Sequence, residues 1–276
     1  MPVKILWTKL QQNVKLYASY CGEQGAYMAN IKAVYRYVDE LNRSKFNSSR
    51  CLLTISVGQE VHEDEKFDAT VNLINDSFKE CIMMIDDSLQ RHTMVLDRKE
   101  SAEEFYQISV KEGDLWLSRN EQYYSKMNNL SRIIRWDHWL KNPNYLTKKK
   151  TLQDAITKDA SFAEIFDNTI NEFLTRYFNR LFSQSDFNMA RGYQLCFDYL
   201  LEECTAMCLW PELDCHFEVY PSKRNFAMDE THRRYVLPFH KELLHAVAIK
   251  FKNRKQFNPQ RFTLIDNELT ESLLID

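Results

Sequence analysis

The sequence predicts an α/β protein, with a largely parallel sheet flanked by helices. Two short, continuous apolar runs carry the prediction, CLLTIS (Cys51–Ser56) and CIMMID (Cys81–Asp86). Such runs suit strands buried on both faces. Between them, Phe67, Val71, Ile74 and Phe78 recur at helical spacing. A strand, a helix and a second strand in that order form the crossover that parallel pairing needs.

Further elements follow in order. SAEEFYQISVKEGDLWLSRNEQYYSKMNN (101–129) has a helical period and leads into RIIRW (Arg132–Trp136), a third strand. Asn142-Pro143-Asn144 is a turn, and residues 151–182 are strongly helical in period. Gly192–Leu209 is another helix, closed by Trp210-Pro211. CHFEVY (Cys215–Tyr220) alternates like a strand and stops at Pro221, and RFTLID (261–266) supplies a last strand. No repeat, low-complexity tract or linker interrupts the chain, so residues 1–276 are expected to form a single domain.

Composition removes several function classes. The five glycines, at 22, 25, 58, 113 and 192, allow neither a G-x-G-x-x-G fingerprint nor a Walker loop, so those routes to a dinucleotide or ATP are absent. A net charge of −3 gives no global attraction to nucleic acid, leaving only local patches. The N-terminal MPVKILWTKLQQ is too polar for a signal peptide, and no apolar run approaches the roughly 20 residues of a membrane span. With seven scattered cysteines, the expectation is a reducing cytoplasm and no membrane. Cys196, Cys204, Cys208, Cys215 and His216 lack paired C-x-x-C spacing, and HKELLH (His240–His245) misses H-E-x-x-H, so no metal is expected.

Ligands of a parallel sheet bind beyond the carboxyl ends of its strands, which puts Ser56, Asp86 and Tyr220 on one rim. Ser56 also suggests half of a G-x-S-x-G elbow, with Thr54 at the first glycine position and Gly58 at the last. A plain turn serine is the competing reading. Tyr199 and Glu203, four apart, share one face of a largely apolar helix, where the carboxylate is either a rim group or the receiver of a substrate ammonium. Arg119, Lys126, Arg132 and Arg135 are interleaved with Tyr123 and Tyr124 and followed by Lys148, Lys149 and Lys150. Few acidic residues stand near them, so the cluster suits phosphates as well as a solvated face.

Three pieces in this order, the serine of ISVGQ, the Y-x-x-x-E of DYLLEE and the Tyr-Pro of FEVYPS, resemble the tRNA-dependent cyclodipeptide synthases. GDLWL (Gly113–Leu117) and SLQRHT (Ser88–Thr93) add to the resemblance, which spans Cys51 to Pro221. It implies a Rossmann-like fold similar to the catalytic domain of class I aminoacyl-tRNA synthetases, without ATP or any cofactor. It also implies two aminoacyl-tRNAs as substrates and a 2,5-diketopiperazine as product. In that reading Ser56 accepts the first aminoacyl group, Tyr199 and Glu203 hold and deprotonate the amine, and Tyr220 is a third pocket tyrosine. Thr54, Gly58 and Gln59 fall to substrate binding, and Arg119, Lys126, Arg132 and Arg135 to tRNA. Tyr220-Pro221 with Gln59 resembles the branch named for X, Tyr and Pro. Thr54 departs from the glycine that many members carry there. Two alternatives remain: a serine acyl hydrolase or acyltransferase, which needs a histidine at Ser56, and a non-catalytic tRNA-binding module.

Overall fold

The computed structural model describes residues 27–35, 46–94, 101–181, 188–221 and 223–253. Its centre is a six-stranded sheet of β1 (Tyr27–Tyr35), β2 (Arg50–Ile55), β3 (Glu80–Ile85), β4 (Leu130–Arg135), β5 (Phe217–Tyr220) and β6 (His245–Asn253). The strand order is β1-β6-β5-β2-β3-β4. Strands β2 to β6 run parallel, and β1 joins β6 antiparallel at one edge. The expected α/β class is therefore observed, including the Rossmann-like parallel arrangement.

Both apolar runs are central strands, and their parity divides the core. Leu53, Ile55, Met83 and Ile85 meet α1 (Asp64–Ser77) through Phe67, Val71 and Ile74, and α2 (Ala102–Tyr124) through Trp116. Leu52, Ile82, Met84 and Ile134 face the other way, toward α3 (Tyr145–Lys158), α4 (Ala160–Leu181), α5 (Met189–Met207) and α6 (Phe226–Thr231). Helix α2 starts at a capping box, with Ser101 and Glu104 satisfying each other's backbone. Gly113 lets α2 lie against the sheet rim: a Cβ there would come within 2.6 Å of Asp87 Oδ2 and 2.7 Å of Arg135 Nη2.

Three expectations are corrected. The helical stretch 151–182 starts earlier, at Tyr145, and is two helices broken at Asp159. The Asp159 carboxylate accepts from Ser161 N (2.9 Å) and Phe162 N (3.2 Å), acting as a cap that starts α4. The long helix before β4 ends at Tyr124, well before residue 129. Strands β1 and β6 were not anticipated; β6 is HAVAIKFKN, whose two alanines and two lysines mute the strand pattern. The strand expected at 261–266 lies outside the described residues.

Candidate active site

Parallel register sets the site. Thr54 pairs with Met84, Ile55 with Ile85, and Leu53 with Val219, so the carboxyl ends of β2, β3 and β5 come together. Because side chains alternate, Thr54 and Ser56 of β2 face the same side as Met84 and Asp86 of β3 and as Glu218 and Tyr220 of β5. Helix α5 crosses that face and supplies Tyr199 and Glu203. Thr54, Ser56, Asp86, Tyr199, Glu203, Glu218 and Tyr220 line one cavity of about 590 Å³, while Met84 is buried in the core beneath.

Ser56 is 9% exposed and its Oγ lies 3.2 Å from the Tyr220 hydroxyl. Gly58 follows in a tight turn in which Gln59 N donates to Ser56 O. Its φ of +85° belongs to the left-handed region, which explains the glycine without any contact to a ligand. Thr54 is buried and Gln59 exposed, and both line the cavity. Beneath Tyr220 lies the buried His62, with ring centroids 5.4 Å apart. Burial pulls the His62 imidazole down to about 3, so it is neutral. The hydrogen-bond partner of Ser56 Oγ is the Tyr220 phenol, and His62 Nε2 meets no partner among the described residues.

On α5, the Tyr199 hydroxyl sits 3.5 Å from Glu203 Oε1, and Asn225 Nδ2 donates to Glu203 Oε2 at 3.1 Å. Asn225 is itself fixed, because its Oδ1 caps α6 by accepting from Met228 N at 2.8 Å. Burial raises the Glu203 carboxyl to about 7; Asn225 opposes the shift and the charge of Glu218 adds to it. Burial likewise holds the Tyr220 hydroxyl at about 12 and Tyr199 well above its ordinary value. Asp86, 7% exposed, is pushed well above the carboxylate range by burial and then by Glu203, Asp87 and Glu218.

Sequence reasoning missed Asn225, Glu218 and Arg224. Arg224 forms a buried ion pair with Glu218 and donates to Leu244 O at 2.6 Å, tying the loop after β5 to the start of β6. An asparagine three residues before Met228 was a legible cap; the Arg224–Glu218 pair follows only from the folded loop.

The basic cluster differs from its expected form. Arg119 grips Glu63 with two bonds, Lys126 meets Asp68 at 2.7 Å, and Arg135 engages Asp87 and Asp114. Acidic neighbours are thus present, because folding brings in Glu63, Asp68 and Asp87 from 48 to 58 positions earlier. Arg132 is exposed on the edge strand β4. Cys196, Cys204, Cys208 and Cys215 are free thiols, and no group of metal-ligating side chains occurs among the described residues. No described helix is long and apolar enough to cross a membrane.

A solved cyclodipeptide synthase from Fluoribacter dumoffii is 42% identical to this chain, with a TM-score of 0.77, covering 82% of it and all of the relative (100%). The chain belongs to the cyclodipeptide synthases, an enzyme family. Two more distant solved structures share the fold. The synthase from Candidatus Glomeribacter gigasporarum, bound to Phe-tRNAPhe, is 19% identical at a TM-score of 0.60 and covers 74% of this chain and 88% of its own. The Mycobacterium tuberculosis protein, described as showing that cyclodipeptide synthetases are related to type I tRNA synthetases, is 11% identical at 0.55 and covers 84% and 95%. No protein-family model and no curated sequence matches the chain.

Proposed function

We propose that the protein condenses two aminoacyl groups, each brought as an aminoacyl-tRNA, into a cyclic dipeptide, with the first held as an ester on Ser56. The observation that carries this reading is the shared cavity, where the Ser56–Tyr220 pair and the Tyr199–Glu203 pair face one space of about 590 Å³. That volume falls in the range of about 300–1,000 Å³ usual for small-molecule sites.

An aminoacyl-tRNA is an activated ester, so transfer to a serine hydroxyl needs neither ATP nor a cofactor. Ser56 Oγ attacks the ester carbonyl and the tRNA 3′ oxygen leaves with the proton. Tyr220, protonated up to about 12, serves that transfer as a hydroxyl relay rather than as a base. The amine of the second aminoacyl-tRNA then attacks the Ser56 ester, and the resulting dipeptidyl-tRNA closes on itself to release the diketopiperazine. Glu203, poised at about 7, meets the α-ammonium of the group held on Ser56 as a carboxylate and accepts its proton before that amine closes the ring. Tyr199 orients the same group, and the enclosed wall, including Thr54, limits hydrolysis of the ester.

The relative bound to Phe-tRNAPhe supports an aminoacyl-tRNA substrate here. Tyr220-Pro221 with Gln59 supports the X-Tyr-Pro branch, and charged tRNA as substrate supports a cytoplasmic site of action. The chain is read as a single domain over 1–276. For the tRNA body the reading keeps Arg119, Lys126, Arg132 and Arg135, with Arg132 leading because the others already hold carboxylates. A hydrolase reading gains nothing from a serine whose partner is a tyrosine. Expression in a bacterial host followed by mass spectrometry of the medium tests the activity: new diketopiperazines are expected, and their absence from cells making folded protein would contradict it.

A further inference from the structure

Asp86 has no role in the reaction as described so far, yet it stands beside Ser56. Its backbone N–H donates to Ile55 O at 2.8 Å, continuing the β2–β3 register by one residue. Adjacent strands lie about 4.8 Å apart, and parity turns both side chains into the same cavity. On the other side of Ser56 stands Tyr220, at 3.2 Å. The serine is thus flanked by a phenol and a carboxyl, with Glu203 arriving from α5.

The Asp86 carboxyl is 7% exposed, and its Oδ1 meets no hydrogen-bond partner. Nearby acids are treated differently: Asp87 has Arg135, Glu202 has Arg91, and Glu218 has Arg224. A buried carboxyl oxygen left without a donor is costly, so a donor supplied by a ligand is the natural complement of Asp86 Oδ1. The reaction brings two α-ammonium groups into this one cavity, and Glu203 can neutralise only one of them.

We propose that Asp86 binds the ammonium of the second, incoming aminoacyl group and accepts its proton, while Glu203 holds the amine of the group on Ser56. The proposal rests on the covalent reading above. An arriving ammonium favours the ionised carboxyl. One proton of the incoming nitrogen passes to Asp86, and the freed lone pair forms the N–C bond at the ester carbonyl. The C–Oγ bond breaks, and Oγ leaves with a second proton from the attacking nitrogen. The products are an amide, a free serine hydroxyl and a protonated Asp86, which returns its proton to solvent.

The test loads enzyme with radiolabelled aminoacyl-tRNA, then chases it with unlabelled aminoacyl-tRNA. Asp86→Asn should load within about threefold of the wild type but release its label about a hundredfold more slowly, the scale of one lost charged hydrogen bond. Competition by an α-hydroxyacyl-tRNA, which lacks the ammonium, should be the same in both proteins. A structural defect would weaken both competitors alike. A wild-type chase rate in Asp86→Asn, or equal loss of loading and chase, would overturn the proposal. The wild type gives a second arm: exchanging amine for hydroxyl on the competitor should weaken it about a hundredfold, and a change below about threefold overturns the proposal even if the variant does not fold. Absence of label on the wild type would remove the covalent reading and this proposal with it, whereas normal loading with an unimpaired Asp86→Asn chase would remove this proposal alone.

Discussion

Two pairs of neighbouring acids, Asp86–Asp87 and Glu202–Glu203, meet at the same rim and have opposite fates. Glu202 is 3% exposed and takes two bonds from Arg91 and one each from His92 and Trp136, so that despite its burial it is held at about 2. Asp87 accepts from Arg135, Ser88 N and Trp136 N. One residue along each chain segment, Glu203 has only neutral donors and Asp86 Oδ1 has none. On α5 a step of one residue turns a side chain by about 100°, and on the β3 rim it changes the face of the sheet. Of these four acids, the two turned toward protein are ion-paired and the two turned toward the cavity are not, among the described residues; Glu218, which also lines it, is held by Arg224.

The largest effect expected from breaking this contrast is on the satisfied side. Arg91→Met leaves Glu202 buried with a charge and fewer donors, and should cost about 3–5 kcal/mol of stability in urea titration. A loss below about 1 kcal/mol would place Glu202 among ordinary surface acids.

Glu203→Gln should do the reverse to stability while abolishing cyclic product. Folding raises this carboxyl from 4.5 to about 7, so the native state binds it protonated more readily than the unfolded chain does. Its contribution is intact below pH 4.5 and is lost as pH rises through about 7. The glutamine variant should therefore match the wild type at pH 4 and exceed it by up to about 3 kcal/mol at pH 8. Wild-type kcat/KM should rise with pH around the same value, as Glu203 becomes the base; a flat profile from pH 6 to 8 would deny it that role.

Gly113→Ala places a Cβ against the Asp87–Arg135 pair and should cost about 1–3 kcal/mol without touching the cavity. Product yield from the folded fraction should be unchanged. Smallest of all is the tRNA surface: Arg132→Glu should lower the slope of tRNA affinity against salt by about 1, and Arg119→Glu, which mainly breaks a bond to Glu63, by less.

What was legible in the sequence follows from locality. Strands β2 and β3 showed because burial on both faces leaves an uninterrupted apolar run, and Tyr199 with Glu203 showed because helical spacing is local. The break at Asp159 was hidden because α3 and α4 both keep an apolar period across it. Strand β6 was hidden by its alanines and lysines. Ser56, Asp86 and Tyr220 were readable as rim residues from strand ends alone, and the fold brings them to one cavity. The partners that decide charge were not readable: Glu63 for Arg119, Arg91 for Glu202 and Arg224 for Glu218 are set by tertiary packing.

In the proposed mechanism Ser56 carries the first aminoacyl group beside Asp86 and Glu203, neither of which is ion-paired among the described residues. The most direct test of that mechanism is intact-protein and peptide mass spectrometry after mixing enzyme with one charged tRNA. An added aminoacyl residue is expected on the peptide containing Ser56. That adduct should be absent from Ser56→Ala and should disappear into cyclic dipeptide when a second aminoacyl-tRNA is added. Cyclic product made by Ser56→Ala, or made by the wild type with the adduct on another residue, would contradict it.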